Sequence, residues 1–302
     1  MKEATRSPPG PGGPAVSVPT APAPLPSPPR SPSSAVPGLP AVPRPAPAPA
    51  VERSVGDYVV GLARDEADVR AAQRLRHRVF AGELGARLTG AETGLDADAL
   101  DAHCDHLLVR ERRGGQVVGT YRLLPPGRAR EAGRLYAEDE FELDGLLDGA
   151  GLRGDLVEAG RSCVHPGHRD GAVIALMWAG IARYLVRTGH NWLGGCCSLP
   201  LDDGGALAAG VWDTVSARHL APAGHRVRPR RPWDPGAVER APRAGSRAAL
   251  PPLLRGYLRL GAKVCGPPAH DPDFGVADLY VLLSLRDTDP RYLRHFLSLL
   301  PE

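Results

Sequence analysis

Two charged side chains, Glu158 and Arg161, interrupt an otherwise apolar run from Leu156 to Val164, L-V-E-A-G-R-S-C-V. They stand three apart, so a regular strand points them to opposite faces, and only a bulge or bend re-aims one toward the other. A carboxylate in apolar surroundings has a raised pKa when unpaired, and one held by a guanidinium stays ionised and ready to accept a proton. Glu158 therefore suits a general base for an incoming amine. The alternative gives Glu158 and Arg161 structural ion pairs with Arg122 and Asp105. Asp98 and Asp101 sit among small residues ahead of a strand. One of them can meet a cationic substrate group while the other anchors Arg78 or Arg122; taken alone, both read as loop caps. Arg122 lies inside the strand-like run Val117 to Leu124 and needs an anionic partner there. Arg78 ends a helix beside Val79 and Phe80.

Other reactive residues carry less. His165 and His168, in V-H-P-G-H-R beside Cys163, have no third strong ligand at suitable spacing, so no metal is expected. Ser162 and Cys163 lack a G-x-S-x-G elbow and an ordered Asp/His partner set, which argues against a covalent intermediate on either. The five cysteines, Cys104, Cys163, Cys196, Cys197 and Cys265, have no C-x-x-C spacing and an odd count, and read as reduced thiols used as small apolar residues.

Several elements must position these groups. Asp57 to Ala63 reads as a first strand, and Asp65 to Phe80 carries Val69, Ala72, Leu75 and Val79 at helical spacing. His106 to Arg110 and Gln116 to Leu124 are β-prone runs separated by Arg112, Arg113, Gly114 and Gly115, a hairpin pattern. Leu156 to Val164, Asp170 to Arg187 and Trp192 to Leu199 read as strand, helix and strand, a parallel crossover unit. Arg218 to Arg247 is Arg- and Pro-rich and reads as a loop or insertion. Ala248 to Leu260 reads as a helix, Ala277 to Leu285 as a strand, and Arg291 to Leu300 as a helix with Tyr292, Phe296, Leu299 and Leu300 on one face. The expected fold class is α/β, with a partly antiparallel sheet.

Of 302 residues, the first fifty or so form a Pro, Ala and Ser tract that cannot bury a core, so residues 1–52 are expected to be a disordered tail and 53–302 one domain. The start has no apolar run behind Lys2, Glu3 and Arg6, so it reads neither as a secretory signal nor as an anchor. A cytoplasmic protein is expected, with at most peripheral contact on the inner face of the membrane. A net charge of +3 and 5% aromatic residues give no nucleic-acid signature.

The motifs R-H-R-V-F, D-A-D-A-L-D, G-T-Y-R-L-L-P and E-A-G-R-S-C-V follow one another in an order similar to that of the acyl-homoserine-lactone synthases, acyltransferases of the GNAT fold. The first motif departs from theirs, with Arg78 two residues before Phe80. The longer strings C-D-H-L-L-V, V-V-G-T-Y-R-L-L, L-M-W-A-G-I-A-R-Y and G-A-K-V-C-G-P-P-A-H-D-P-D-F resemble the ornithine N-acyltransferases, over roughly residues 57 to 300. The resemblance implies a GNAT fold and transfer of a long, often 3-hydroxylated acyl chain from acyl carrier protein to the α-amino group of ornithine. It implies that Arg78, Asp98, Asp101, Arg122, Glu158 and Arg161 line the acceptor side, with Glu158 as base.

GNAT enzymes hold a donor pyrophosphate with R-x-x-G-x-G/A at a helix N-terminus, where free N–H groups favour anions. Only Arg169, Asp170, Gly171 and Ala172 stand here, which weakens the case for coenzyme A and suits a carrier-protein phosphopantetheine, with no separate cofactor. Ser162, Cys163, Val164, Arg169, Gly171 and Ser198 are the expected donor-binding residues, on strands that splay around Arg161 to Val164 and Cys196 to Leu199. The basic run Arg226, Arg228, Arg230, Arg231, Arg240, Arg243 and Arg247 suits an acidic carrier protein or an anionic membrane, or is a solvated loop. Two other readings are an acyl-homoserine-lactone-type synthase or other amine N-acyltransferase, and a non-catalytic membrane-associated binding module.

Overall fold

The structure is a computed structural model that describes residues 52–88, 91–234 and 250–300. The expected tail therefore lies outside the described residues, apart from Glu52, as do Arg240, Arg243 and Arg247. The described residues all fall within one compact unit, residues 45–302.

The chain opens with strands β1 (Arg53–Val55) and β2 (Tyr58–Leu62), then helix α1 (Glu66–Phe80). Asp65 starts α1 by accepting the Asp68 N–H, satisfying one of the free amides of the first turn. The hairpin β3 (Asp105–Glu111) and β4 (Val117–Leu124) follows, then the short helix α2 (Pro126–Ala132) and strand β5 (Phe141–Glu142). Strand β6 (Leu156–Val164), helix α3 (Ala172–Thr188) and strand β7 (Trp192–Pro200) form the crossover unit. Helix α4 (Ala206–Arg218), strand β8 (Arg228–Pro229), helix α5 (Pro252–Arg259), strands β9 (Lys263–Val264), β10 (Ala269–Asp271) and β11 (Val276–Ser284), and helix α6 (Pro290–Leu299) complete the order.

The main sheet runs β1-β2-β3-β4-β6-β7-β11-β10, with β9 also on β11. Among the described strands only β6 and β7 pair in parallel; the other named pairs are antiparallel. The sheet is thus mixed, as expected. On one face α3 packs with Val173, Met177 and Ile181 buried against Val109, Val118 and Tyr121. On the other, α1 buries Ala72, Leu75, Val79 and Phe80 with Leu108, Val117 and Cys163. A third cluster, built on Phe141, Leu146, Leu156 and Tyr280, fills the space under β5.

Helix α4 was not among the expected elements. Its buried residues, Ala208, Ala209, Val211 and Val215, are mixed with Gly210 and small side chains, so no clear apolar stripe marks it. The helix expected from Ala248 begins at Pro252, where a residue without an N–H suits the first turn. In α6, Phe296 and Leu299 lean on the main core, while Tyr292 remains 41% exposed.

Two local features shape the middle of the sheet. Thr120 pairs with Cys163 and Arg122 with Gly160, so Arg161 and Ser162 together face the single residue Tyr121. This is a β-bulge, and Arg161 takes the left-handed φ of 53° that it requires. Beyond it, the β6–β7 register ends at Glu158 opposite Gly194, and the strands then part. At the fork a Cβ on Gly195 would lie 2.1 Å from the Ala159 carbonyl oxygen, so only glycine lets the strands meet there. Gly195→Ala is expected to destabilise the protein by roughly 1–3 kcal/mol, the usual range for overpacking. Chemical denaturation of the variant against the wild type checks this.

Candidate active site

The parted strands enclose a cavity of about 450 Å³. Glu158, Gly160, Arg161 and Ser162 line one wall, and Cys196, Cys197, Ser198 and Pro200 the other. The bulge is what brings Glu158 and Arg161, three apart in sequence, into the same space. Glu158 is buried, and its two oxygens accept the backbone N–H groups of Tyr136 (2.7 Å) and Ala137 (2.8 Å). Burial pushes its carboxyl pKa up; the two amides and the Arg122 charge restrain the rise. A carboxylate so placed both anchors the turn Tyr136–Asp139 and retains lone pairs toward the cavity. Neither Arg122 nor Asp105 serves as the ion-pair partner weighed for the strand: Asp105 instead binds Arg128 (2.9 Å) and the Tyr184 hydroxyl (2.9 Å).

Behind this wall three guanidinium groups meet three carboxylates. Asp98 caps the 3-10 turn Ala99–His103 and accepts Arg122 Nη1 at 2.7 Å. Asp101 accepts Arg122 (3.1 Å), Arg76 (2.7 Å) and Gln73 (2.9 Å). Asp96 binds Arg76 at 2.8 Å and Arg161 at 3.3 Å. Arg161 also lies 4.8 Å from the Tyr136 ring centroid and 5.0 Å from that of Phe274, cation–π contacts that hold its head in place. Although burial opposes ionisation of Asp101, Arg76 and Arg122 keep its carboxyl well below the usual range. Asp98 and Asp101 are thus turn cap and arginine anchor at once.

The structure corrects one assignment. Arg78 is exposed and bonds His165 Nε2 at 2.9 Å, away from the acids; the residue that reaches them is Arg76, fully buried. A usable signal was present in R-H-R-V-F. Arg76 is four residues before Phe80, hence on the same buried face as Ala72, Leu75 and Val79, whereas Arg78 is two before it and points away. Asp96, in D-A-D-A-L-D, was also missed.

The expected donor residues separate into two groups. Ser162 and Ser198 line the cavity. Cys163 alternates to the far face and packs under α1, where burial pushes its thiol up to about 12. Val164 leans on the main core, and Arg169 forks onto Glu83 at 2.5 and 2.8 Å and donates to the Val164 carbonyl. Gly171 opens α3 with φ 98°, but the Ala172 N–H is already taken by the Asp170 carboxylate at 3.0 Å. His165 and His168 bind Arg78 and the Tyr58 hydroxyl (3.1 Å). Among the described residues, a group with metal-ligand spacing is found elsewhere: Glu140, Asp271 and Asp278 each bring one oxygen within 4.8 Å of the others. No sequence signal links these three. Of the basic run, Arg226 and Arg230 are tied to backbone carbonyls of Ala221 (3.1 Å) and Glu138 (2.7 Å).

A family model described as an acetyltransferase (GNAT) domain matches residues 75–179, from α1 to the middle of α3. An L-ornithine N(alpha)-acyltransferase of Rhodobacter capsulatus is 39% identical over 236 residues, 75% of this chain and 89% of the relative. One from Brucella abortus is 35% identical over 262 residues, 80% of this chain and 89% of the relative. The chain belongs to the L-ornithine N(alpha)-acyltransferase family. It is an N-acyltransferase with a GNAT domain, not a catalytically inert module of that shape. A solved CoA-dependent acyl-homoserine lactone synthase, BjaI, with SAM and isopentyl-CoA, has 17% identity and a TM-score of 0.46, covering 77% of this chain and 82% of its own.

Two outcomes follow for the ion network. Arg76→Met is expected to cost roughly 3–5 kcal/mol by stranding Asp96 and Asp101, and Arg78→Met within about 0.5 kcal/mol, as for an exposed site; urea denaturation of the pair checks both. His106, buried with Nε2 3.1 Å from the Asp101 carbonyl, has its pKa lowered to about 4 by burial. The unfolded chain takes up that proton near pH 6.5 and the folded one only near 4. Stability is therefore expected to fall between those values by up to about 1.4 kcal/mol per pH unit, and His106→Gln should flatten that part of a melting-temperature profile.

Proposed function

We propose that the protein transfers a long, 3-hydroxylated acyl group from the phosphopantetheine thioester of acyl carrier protein to the α-amino group of L-ornithine, giving a lyso-ornithine lipid and free carrier. The observation that carries the reading is the parting of β6 and β7 after Glu158 and Gly194, which leaves a carboxylate at the head of a slot between two strands. The relatives' names support ornithine as acceptor.

The α-amine, deprotonated by Glu158 directly or through water, attacks the thioester carbonyl. Backbone N–H groups along Gly160–Ser162 and Cys196–Ser198, with the Arg161 charge behind them, stabilise the resulting oxyanion. Collapse breaks the C–S bond, forms the amide and releases the pantetheine thiol, which takes a proton. The Asp170 carboxylate, set on the first amide of α3, repels a pyrophosphate where coenzyme A would place one. This favours a carrier-bound arm, delivered by an acidic protein. The lipid product suits a peripheral position on the inner face of the cell membrane, where α6 presents Arg291, Tyr292 and Arg294. Among the described residues no helix is long and apolar enough to cross a membrane.

Purified protein incubated with 3-hydroxyacyl carrier protein and ornithine is expected to give N-acylornithine by mass spectrometry, with acyl-coenzyme A in a parallel reaction giving little. Product only from acyl-coenzyme A would overturn the donor, and failure to acylate any amine would overturn the reading. Glu158→Gln should lower kcat by roughly 10²–10⁴-fold, the range of a lost general base.

A further inference from the structure

The buried and half-buried acids around the site fall into two classes. Asp96, Asp98 and Asp101 are matched by Arg76, Arg122 and Arg161, and Glu158 has two backbone amides. Glu140, Asp271 and Asp278 are exposed by only 4, 6 and 2%, yet among the described residues no Lys, Arg or His lies within ion-pair distance of their carboxylates. Asp271 Oδ1 accepts the amides of Asp273 (2.9 Å) and Phe274 (3.2 Å); Glu140 and Asp278 bond each other, with Cys196 and Ser198 as further partners, yet Glu140 Oε2 and Asp278 Oδ1 receive no hydrogen bond. Carboxylates this deep without a cation are costly, and side chains carrying that charge are candidates for meeting a cation that arrives from outside.

Their place in the fold says where it arrives. All three line the cavity that holds Glu158 and Arg161, and Glu140 and Asp271 also line a second cavity of about 770 Å³, which shares Tyr136, Arg161 and Phe274 with the first. Glu140 and Asp271 therefore stand at the junction of the two cavities, with Asp278 beside them in the first, where an acceptor entering opposite the donor slot would place its functional groups. Glu158 faces Gly194 across β6 and β7, and Cys196, whose thiol bonds Glu140, is two residues further along β7. Two residues of strand span about 7 Å, against about 6 Å between the two nitrogens of an extended 1,4-diamine with ordinary bond lengths. A divalent metal suits the site less. Burial pushes both Glu140 and Asp278 up, with the Asp278 charge adding to the rise at Glu140, so the pair readily keeps a proton and offers the charge for a monocation.

Resting on the reading of the protein as an amino-acid N-acyltransferase, we infer that Glu140, Asp271 and Asp278 form the subsite for the acceptor's side-chain ammonium, and thereby select a diamino acid over a neutral one of the same length. They are specificity residues, separate from the proton transfer at Glu158. The test compares ornithine with norvaline, which has the same carbon skeleton without the terminal amine, in wild type, Glu140→Gln and Asp278→Asn. Wild type is expected to favour ornithine by roughly 10²-fold or more in kcat/KM, the scale of a buried polar group left unmatched. Each variant should lower that preference at least ~10-fold, chiefly through KM for ornithine, with norvaline turnover little changed.

Equal loss on both substrates, equal use of both by the wild type, or activity that chelation abolishes and Mg²⁺ or Mn²⁺ restores would each overturn the subsite. Thermal stabilisation of the wild type by ornithine and by 1,4-diaminobutane, but not by norvaline, tests it without turnover and without a variant that must fold. If no amino acid is acylated yet the diamines stabilise, the proposed reaction fails and the subsite stands. If norvaline stabilises as well as ornithine, the subsite fails whatever the reaction.

Discussion

Arg76 and Arg122 are buried with Asp96 and Asp101, and the half-buried Arg161 and Asp98 complete a set in which three positive charges meet three negative ones. The members come from α1, the turn before β3, β4 and the bulge of β6, so the network ties helix, turn and two neighbouring strands together. Burying such a set contributes little to stability compared with apolar residues of similar volume, but removing one member leaves an uncompensated charge. What the network secures is geometry. Arg161 sits in a left-handed conformation that costs a non-glycine residue about 1–3 kcal/mol, and its guanidinium is held by Asp96, Asp98, Tyr136 and Phe274. The strained residue and the charges that hold it are parts of one device.

That device makes the site possible. In an unbulged β6, Glu158 and Arg161 would face opposite sides of the sheet; with the extra residue they share one cavity. The same strand leaves its parallel partner immediately after Glu158, and a glycine at the fork lets the backbones approach to the last possible residue before parting. The slot is therefore bounded by backbone on two sides, with the carboxylate at its head.

Much of this was legible in the sequence, because apolar periodicity reports burial directly. Strand β6 runs from Leu156 to Val164 as its residues indicate, and the crossover through α3 follows from Gly189 and the two apolar runs around it. Helix α4 was not legible, since a helix of small residues shows no stripe. In R-H-R-V-F it is helical phase, not closeness in sequence to Phe80, that decides what a side chain faces, so Arg76 and not Arg78 reaches the acids. Ser162 and Cys163 show the same rule in a strand: neighbours in sequence, one lines the cavity and the other packs under α1. The carboxylates of Glu140, Asp271 and Asp278 lie on segments far apart in the chain, and no local pattern distinguishes them from surface acids.

The two acidic clusters differ in a way that charge balance explains. Where the acids hold Arg76, Arg122 and Arg161 they come with equal numbers of cations, which keeps the buried network close to neutral. Where they line the cavity as Glu140, Asp271 and Asp278 they come without, and the imbalance is tolerable because burial raises the pKa of Glu140 and Asp278, which bond each other and can hold a proton while the site is empty. A site with its own lysine or arginine at that position would be more stable and would reject an ammonium group. For the inferred diamine subsite, the lack of a resident cation is a condition of binding, and an incoming ammonium ion supplies the positive charge that no neighbouring side chain among the described residues provides.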